Sequence, residues 1–336
     1  GGPDGQKQTV TIQDDDPPPS VIMEVDRTSI GEDQAPTSAV VTLRLSAVSS
    51  LTVTVSLGMS GTAQETVDYT LNNTVTIPPG SLFSSATLVS VGDLIDEFDE
   101  TVVITVLGAV NGTVLVTQQR SVTIMDDDIP PTVALTIGTP TINESAPNES
   151  TSVSAVLSGV SGKMITVALT KSGTAIEVTD YTLPAAIEIP LGNKFGFVLL
   201  ASVGDIIDEF DETVIIDIDA VTNGTEDGPQ QQTVTVRDDD GTPEVTLSVA
   251  SASITEAAGT TSSTRVIATL SSQSSFDVTV SLGKSGDARE TLDYTVPSAI
   301  VVPAQTLSAF VDLTAVDEAP TLDEVDEKVV LAIVSA

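Results

Sequence analysis

Apolar and polar residues alternate along much of this chain with a period of two. In LTVTVSL (51–57), ITVALT (165–170) and DVTVSL (277–282), valine, isoleucine or leucine recurs at every second position, with mostly threonine or serine between. That alternation sends apolar side chains to one face of a pleated strand and small polar ones to the other. Turn-forming clusters such as IPPGS (77–81) and IPLGN (189–193) punctuate the strands at intervals that suit an antiparallel β-sandwich. No stretch sustains apolar residues at helical spacing, so the pattern predicts an all-β chain.

The pattern also repeats. Asp14-Asp15-Asp16 recurs as Asp126-Asp127-Asp128 and as Asp238-Asp239-Asp240, each time 112 residues on and each time after VTI or VTV plus one residue. Glu32, Glu144 and Glu256 keep the same step, and the three tyrosines, Tyr69, Tyr181 and Tyr294, step by 112 and 113. The third copy is lengthened in its acidic loop, VDEAPTLDEVDEKVV (316–330), and its later landmarks lie 115 on. A fixed period of this size marks a tandem array. The expected units are residues 1–16, the last strand and acidic triplet of a preceding repeat; 17–128; 129–240; and 241–336, a repeat lacking its last strand.

Composition narrows the chemistry. Asp and Glu outnumber Lys and Arg by 48 to 12, for a formal charge of −36. That balance opposes nucleic acid and anionic membranes and favours cationic partners. With neither cysteine nor histidine in the chain, disulfides, thiolate chemistry, imidazole triads and nitrogen- or sulfur-ligated zinc are all excluded. Aromatic residues make up only 3% of the chain, so the cores must be built from branched aliphatics. No apolar run reaches the roughly 20 residues of a membrane span, and direct insertion is not expected.

The remaining question is why strands should open on acidic runs such as VGDLIDEFDETVVI (91–104) and VGDIIDEFDETVII (203–216). INES (142–145) or ITEA (254–257), then VDYT (67–70) or TDYT (179–182), then an Asp-x-x-x-Glu-x-x-Glu loop, then VTI and Asp-Asp-Asp recur in that order. In this order the chain resembles tandem Calx-β domains. The resemblance implies tandem seven-stranded, immunoglobulin-like antiparallel β-sandwiches in an elongated array, with Ca2+ held by loops at one end of each.

Carried over residue by residue, the resemblance implies ligands Glu32, Asp68, Asp93, Glu97, Asp126, Asp127 and Asp128 in the first full period. In the second it implies Glu144, Asp180, Asp205, Glu209, Asp238, Asp239 and Asp240, with the Ile207 carbonyl as a backbone oxygen. The third period offers Glu256, Asp293, Asp317 and Glu324, and Asp14, Asp15 and Asp16 correspond to the closing triplet of a preceding repeat. Gly92 and Gly204 stand where the calcium-binding members often carry a first of two successive acids, which leaves the number of ions per site open. Asp211 and Glu212 are expected to face solvent.

Physical chemistry points the same way. Calcium takes six to eight oxygens, and accepts carboxylates from separate loops. Without a cation, each carboxylate pair at about 5 Å costs roughly 3 kcal/mol at an effective dielectric near 20. The competing reading is a solvated acidic edge that discourages sheet-to-sheet aggregation. The tyrosines read as anchors for the neighbouring aspartates, and Phe98 and Phe210 as local packing. Asn72, Asn111, Asn143, Asn148 and Asn223 begin Asn-x-Ser/Thr sequons, so N-glycosylation in a secretory pathway is a candidate modification.

Stiff joints, DDDPPP (14–19), DDDIPP (126–131) and DDDGTP (238–243), link the repeats. The expected function is a calcium-rigidified extracellular or cell-surface array, such as a stalk, adhesin spacer or filament subunit. Its expected partners are neighbouring repeats or copies of the same chain, joined head to tail if residues 8–13 complete the third sandwich of a neighbour and Asp14–Asp16 its calcium site. The alternative is a calcium-sensing regulatory module of a larger membrane protein. Catalysis is not expected, because a catalytic carboxylate pair needs two different environments and a cleft, whereas these acids repeat alike.

Overall fold

The computed structural model describes residues 5–144, 148–256, 262–316 and 325–336, and no helix occurs among them. The first unit runs β1 (Val21–Val25), β2 (Ser29–Gly31), β3 (Ser38–Leu45), β4 (Val53–Gly61), β5 (Tyr69–Thr70), β6 (Thr74–Ile77), β7 (Phe83–Ser90), β8 (Glu100–Val110) and β9 (Gln119–Met125). Its strands form two sheets, β1-β3-β7-β5 and β2-β9-β8-β4-β6. Pairing is antiparallel apart from β2, which runs parallel to β9. Setting aside the two short pieces β2 and β5 leaves seven principal strands.

Register turns the alternating sequence into a core. In β8 and β9, Val102 pairs with Val122, which puts both on the inner face, where each is fully buried. Met23, Val41, Leu43, Val55 and Ile104 close the same core without exposure. Burying each such side chain stabilises the fold by about 1.5–3 kcal/mol, enough to hold a sandwich without large rings.

Residues 132–237 repeat the plan with a core centred on Val153, Val167, Ile187, Val214 and Val234. Its principal strands are again seven, with three short pieces at Thr141–Asn143, Tyr181–Thr182 and Thr225–Glu226. Residues 245–335 form a four-stranded sheet and a three-stranded one, the latter ordered Ala299–Val302, Val278–Gly286, Val329–Ser335. The strand Val329–Ser335 pairs only with Val278–Gly286 among the described residues. Its Ile333 is 37% exposed, where the equivalent Ile218 of the second unit is 9% exposed.

One glycine recurs for a steric reason that bears on the acidic end. Gly61, Gly173 and Gly286 have φ of 127°, 119° and 119°, and a Cβ there would lie 2.0, 2.1 and 2.0 Å from the carbonyl oxygens of Thr101, Thr213 and Lys328. Only glycine lets the chain leave the strand in this way. The crossing brings the loop that carries Asp68 against the start of β8.

Candidate metal centres

The acidic residues of the first unit come from four segments that meet at one end of the sandwich. Glu32 follows β2 and is tied by its amide to the Met125 carbonyl at 2.9 Å, which sets it beside the triplet that follows β9. Asp68 precedes Tyr69, which is 2% exposed, and its carboxylate accepts from the Gln64 amide at 2.6 Å, so the tyrosine does anchor a turn that aims the aspartate. In the acidic loop, Asp93 Oδ1 accepts from the Ile95 amide at 2.7 Å. The Glu97 amide donates to Asp126 Oδ1 at 3.0 Å, joining loop to triplet.

Two groupings result. Carboxylate oxygens of Glu32, Asp93 and Asp128 lie within 4.8 Å of one another, and so do those of Asp68, Glu97 and Glu100. A small pocket between them is lined by Glu32, Asp68, Glu97, Phe98, Glu100 and Asp126. In the second unit the corresponding group is Glu144, Asp180 and Glu209. Glu32 therefore belongs to the grouping around the acidic-loop aspartate, whereas its counterpart Glu144 belongs to the grouping around Asp180. The two units thus place the equivalent glutamate in different groupings.

The electrostatics are those of acids crowded together. Burial first, and then Asp93, Asp128 and Asp126, push the Glu32 carboxyl up to about 7, against the relief of a hydrogen bond from the Asp93 amide. Glu144 rises to about 8 through burial and the charges of Asp205, Glu209, Asp180 and Asp238. Glu100 and Glu212 rise to about 7, by burial and by hydrogen bonding to Asp68 and Asp180 respectively. Glu97, Asp128, Glu209, Asp238 and Asp240 are all raised, each chiefly by burial. Asp238 Oδ1 is a buried oxygen with no hydrogen-bond partner among the described residues. All the donors are hard oxygens, and a partnerless buried oxygen beside them suits a cation such as calcium better than it suits water-facing surface.

Other expected residues go elsewhere. Asp127 turns to the Gln34 amide, which it accepts at 2.7 Å, and Asp239 is exposed. Ile207 donates its amide to Asp205 Oδ1 at 2.7 Å. Asp293 is 4% exposed and accepts from the Arg289 amide at 2.5 Å, while Glu256 is exposed. Asp317 and Glu324 lie outside the described residues. Asp14, Asp15 and Asp16 are exposed, with Asp14 Oδ1 accepting only a local bond from the Asp16 amide at 3.3 Å. Among the described residues they join no acidic group.

Several participants escaped the sequence reading. Glu212 does not face solvent: it and Glu100 turn inward, a direction that strand parity carries, since Glu100, Val102 and Ile104 occupy alternate positions of β8. Asp33 fills the space beside Gly92, where an ideal Cβ would come within 1.8 Å of Asp33 Oδ1. Asp99 and Asp211 accept from the amides of Asp126 and Asp238 at 3.1 and 3.2 Å and so orient the triplets.

The joints between units are held by residues outside the acidic groups. Asp96, 2% exposed, points out of its own unit and into the next: its carbonyl accepts from the Gly162 amide at 3.0 Å and the Ser161 hydroxyl at 3.1 Å. Lys163 Nζ reaches Asp96 Oδ1 at 2.7 Å. The second joint repeats the backbone contact, with the Ser275 amide donating to the Asp208 carbonyl at 2.9 Å and the Ser274 hydroxyl to Asp208 Oδ2 at 3.0 Å. Phe98 and Phe210 also serve the joints rather than local packing: Phe98 lies under Lys163, and Phe210 meets Phe276 edge-on at 4.3 Å.

No protein-family model and no curated protein sequence matches the chain. Solved structures that resemble it include CBD12 from CALX1.2, 17% identical over 60% of this chain and 80% of that one, with a TM-score of 0.29. The apo-form Calx CBD1 domain is 21% identical over 32% of this chain and 99% of that one, with a TM-score of 0.28. The Yersinia pseudotuberculosis adhesin InvE is 11% identical over 73% of this chain and 66% of that one, with a TM-score of 0.32. Superpositions at this level decide neither ligand nor role, which rest on the chain's own residues.

Proposed function

We propose that the chain is a calcium-stiffened structural or adhesive array of Calx-β-like sandwiches, working outside the cell or at its surface. Ions at the sandwich tips fix the joints between successive units. The observation that carries this reading is that single loops serve both tasks: Glu97 joins the acidic group of its own unit while its neighbour Asp96 is buried against the next. In the first unit Glu32, Asp93 and Asp128 would hold one ion, and Asp68, Glu97 and Glu100, with Asp126 beside them, a second. In the second unit Glu144, Asp180, Glu209 and Glu212 would do so with Asp205, Asp238 and Asp240. Calcium supplies charge neutralisation and many-sided coordination, which draws loop and triplet together.

The proposal extends to assembly. Val10 and Ile12 are 86% and 93% exposed, whereas their counterparts Val122 and Ile124 in β9 are 0% and 4% exposed. Residues 8–13 thus carry a closing strand's pattern yet pair with no strand among the described residues, and Val329–Ser335 has an outer edge with no partner among the described residues. By the register of β8 with β9, Val10 would lie opposite Val329 and Ile12 opposite Glu327 of the unit it completes, in a neighbouring copy.

A thermal melt in excess chelator and across a calcium titration, with small-angle scattering on the same samples, tests the reading. A large rise in melting temperature with a longer, stiffer profile is expected, saturating at the millimolar calcium of extracellular modules. Saturation at micromolar calcium would favour a regulatory sensor instead, and no response of either quantity would leave a plain sandwich spacer. Concentration-dependent growth in mass, abolished by substituting Val10 and Ile12 with Asp, tests the assembly.

A further inference from the structure

We propose that Lys163 is a built-in cation of the first joint, so that the acidic group at Asp126 binds calcium more weakly than its counterpart at Asp238, where Phe276 stands in the lysine's place. This deepens the calcium reading and rests on it.

The two joints are built on one template. Ser161 and Ser274 occupy the same position of their units, each 1% exposed and each donating its hydroxyl to the aspartate of the preceding acidic loop. Two residues further on, the units part company. Lys163 lies 2.7 Å from Asp96 Oδ1 and 3.6 Å from Asp126 Oδ2, and its side chain is 14% exposed. The ammonium also lies over the ring of Phe98, 5.1 Å from its centroid. Asp126 lines the acidic pocket and accepts from the Glu97 amide through Oδ1, so the lysine, facing its Oδ2, puts a positive charge on a carboxylate at the edge of that pocket.

At the second joint the lysine's ion pairs have no counterpart on Asp208 or Asp238 among the described residues. Phe276 instead packs edge-on against Phe210, at an interplanar angle of 81°. The joint then closes by ring contact with no ammonium against its acids, and it is here that Asp238 Oδ1 is buried without a hydrogen-bond partner among the described residues, although backbone amides of Glu209 and Asp240 support the Asp238 carboxylate. Lysine therefore neutralises part of the first cluster permanently, while the second must recruit its charge from solution. An opposite charge at 4–6 Å alters a carboxylate's affinity for a proton by roughly ten- to a thousandfold. Calcium competes for the same oxygens, and an effect of at least about tenfold on its affinity is expected.

The experiment is calcium binding to the full chain by titration calorimetry and equilibrium dialysis, for the natural sequence, K163M and F276K. Methionine keeps the lysine's length and apolar stem, and circular dichroism checks that each variant folds. The natural chain should show two classes of site at least tenfold apart. K163M should tighten the weaker class towards the stronger, and F276K should weaken the stronger. One affinity at both sandwiches, unchanged by K163M, overturns this inference and leaves the calcium reading standing. Absence of calcium binding to either sandwich overturns both.

Discussion

Replacing Asp96 with alanine should loosen the first joint far more than the corresponding Asp208→Ala loosens the second. Asp96 makes two kinds of contact: a backbone bridge to Gly162, which the substitution keeps, and a carboxylate that receives Lys163 at 2.7 Å and the Ser161 hydroxyl at 3.3 Å, which it removes. Removing one partner of a buried ion pair costs about 3–5 kcal/mol. Lys163 keeps some solvent and retains Asp126 at 3.6 Å, so the loss here should be about 2–3 kcal/mol. At the second joint only a hydroxyl-to-carboxylate bond goes, worth about 1.5 kcal/mol. Native-state hydrogen exchange in chelator reads both: the Gly162 amide should exchange roughly 30- to 150-fold faster in D96A, and the Ser275 amide about tenfold faster in D208A. Core amides such as those of Leu43 and Val153 should not change in either. Equal acceleration at the two joints, or less than threefold at Gly162, would refute the claim that a buried charge pair holds the first one.

Without metal, stability should fall as pH rises from about 4.5 to 8. Glu32, Glu100 and Glu212 are raised to about 7 and Glu144 to about 8 from a usual 4.5, so the folded chain holds more protons than the unfolded one across that window and loses the benefit as they dissociate. Melting temperatures in chelator should drop by about 5–10 °C between pH 5 and pH 8, and saturating calcium should abolish or reverse the trend; a rise in chelator would contradict it. Glu100→Gln and Glu212→Gln should each weaken calcium binding by roughly tenfold yet raise the melting temperature of the metal-free chain at pH 8, a pair of opposite signs that solvent-facing residues would not give. Glycan mapping of secreted material should find Asn72 and Asn148 occupied and Asn111 and Asn223 bare, because the last two donate their amides to the carbonyls of Thr52 and Met164 at 2.8 and 2.9 Å.

Strand content and core identity were legible because a period of two says which face each residue takes, and register then confirms it, as with Val102 opposite Val122. Repetition marked the acidic segments, and the resemblance implied which of their residues converge; of those, Glu32, Asp93 and Asp128, then Asp68 and Glu97, then Glu144, Asp180 and Glu209 come together. What stayed hidden depends on direction within those loops. Glu212 looked like surface because it stands among other acids, although its parity with Val214, like that of Glu100 with Val102, points it inward. Asp33 substitutes for the side chain that Gly92 lacks, from a segment about 60 residues away, and no local pattern announces such an exchange. Asp96 and Asp208 were hidden because their partners, Ser161 and Ser274, belong to the next unit and look like ordinary turn residues.

On the proposed reading, that last pairing is what would let an ion site at the tip control a joint. Consecutive residues of an extended segment point to opposite sides. In the acidic loop this sends Glu97 and Glu209 into their own clusters and Asp96 and Asp208 into their neighbours' turns. A force that shifts the glutamate must therefore move the aspartate. On the same reading, repulsion within an empty cluster would push the loop from the triplet that leads into the next unit and load the bridge to Gly162 or Ser275, whereas a cation that drew Glu97 to Asp126 would seat the same loop and present Asp96 in place. Adjacent peptide units in one loop would then couple ion binding to stiffness without a separate device, and the residue at the position of Lys163 and Phe276 would tune each joint on its own.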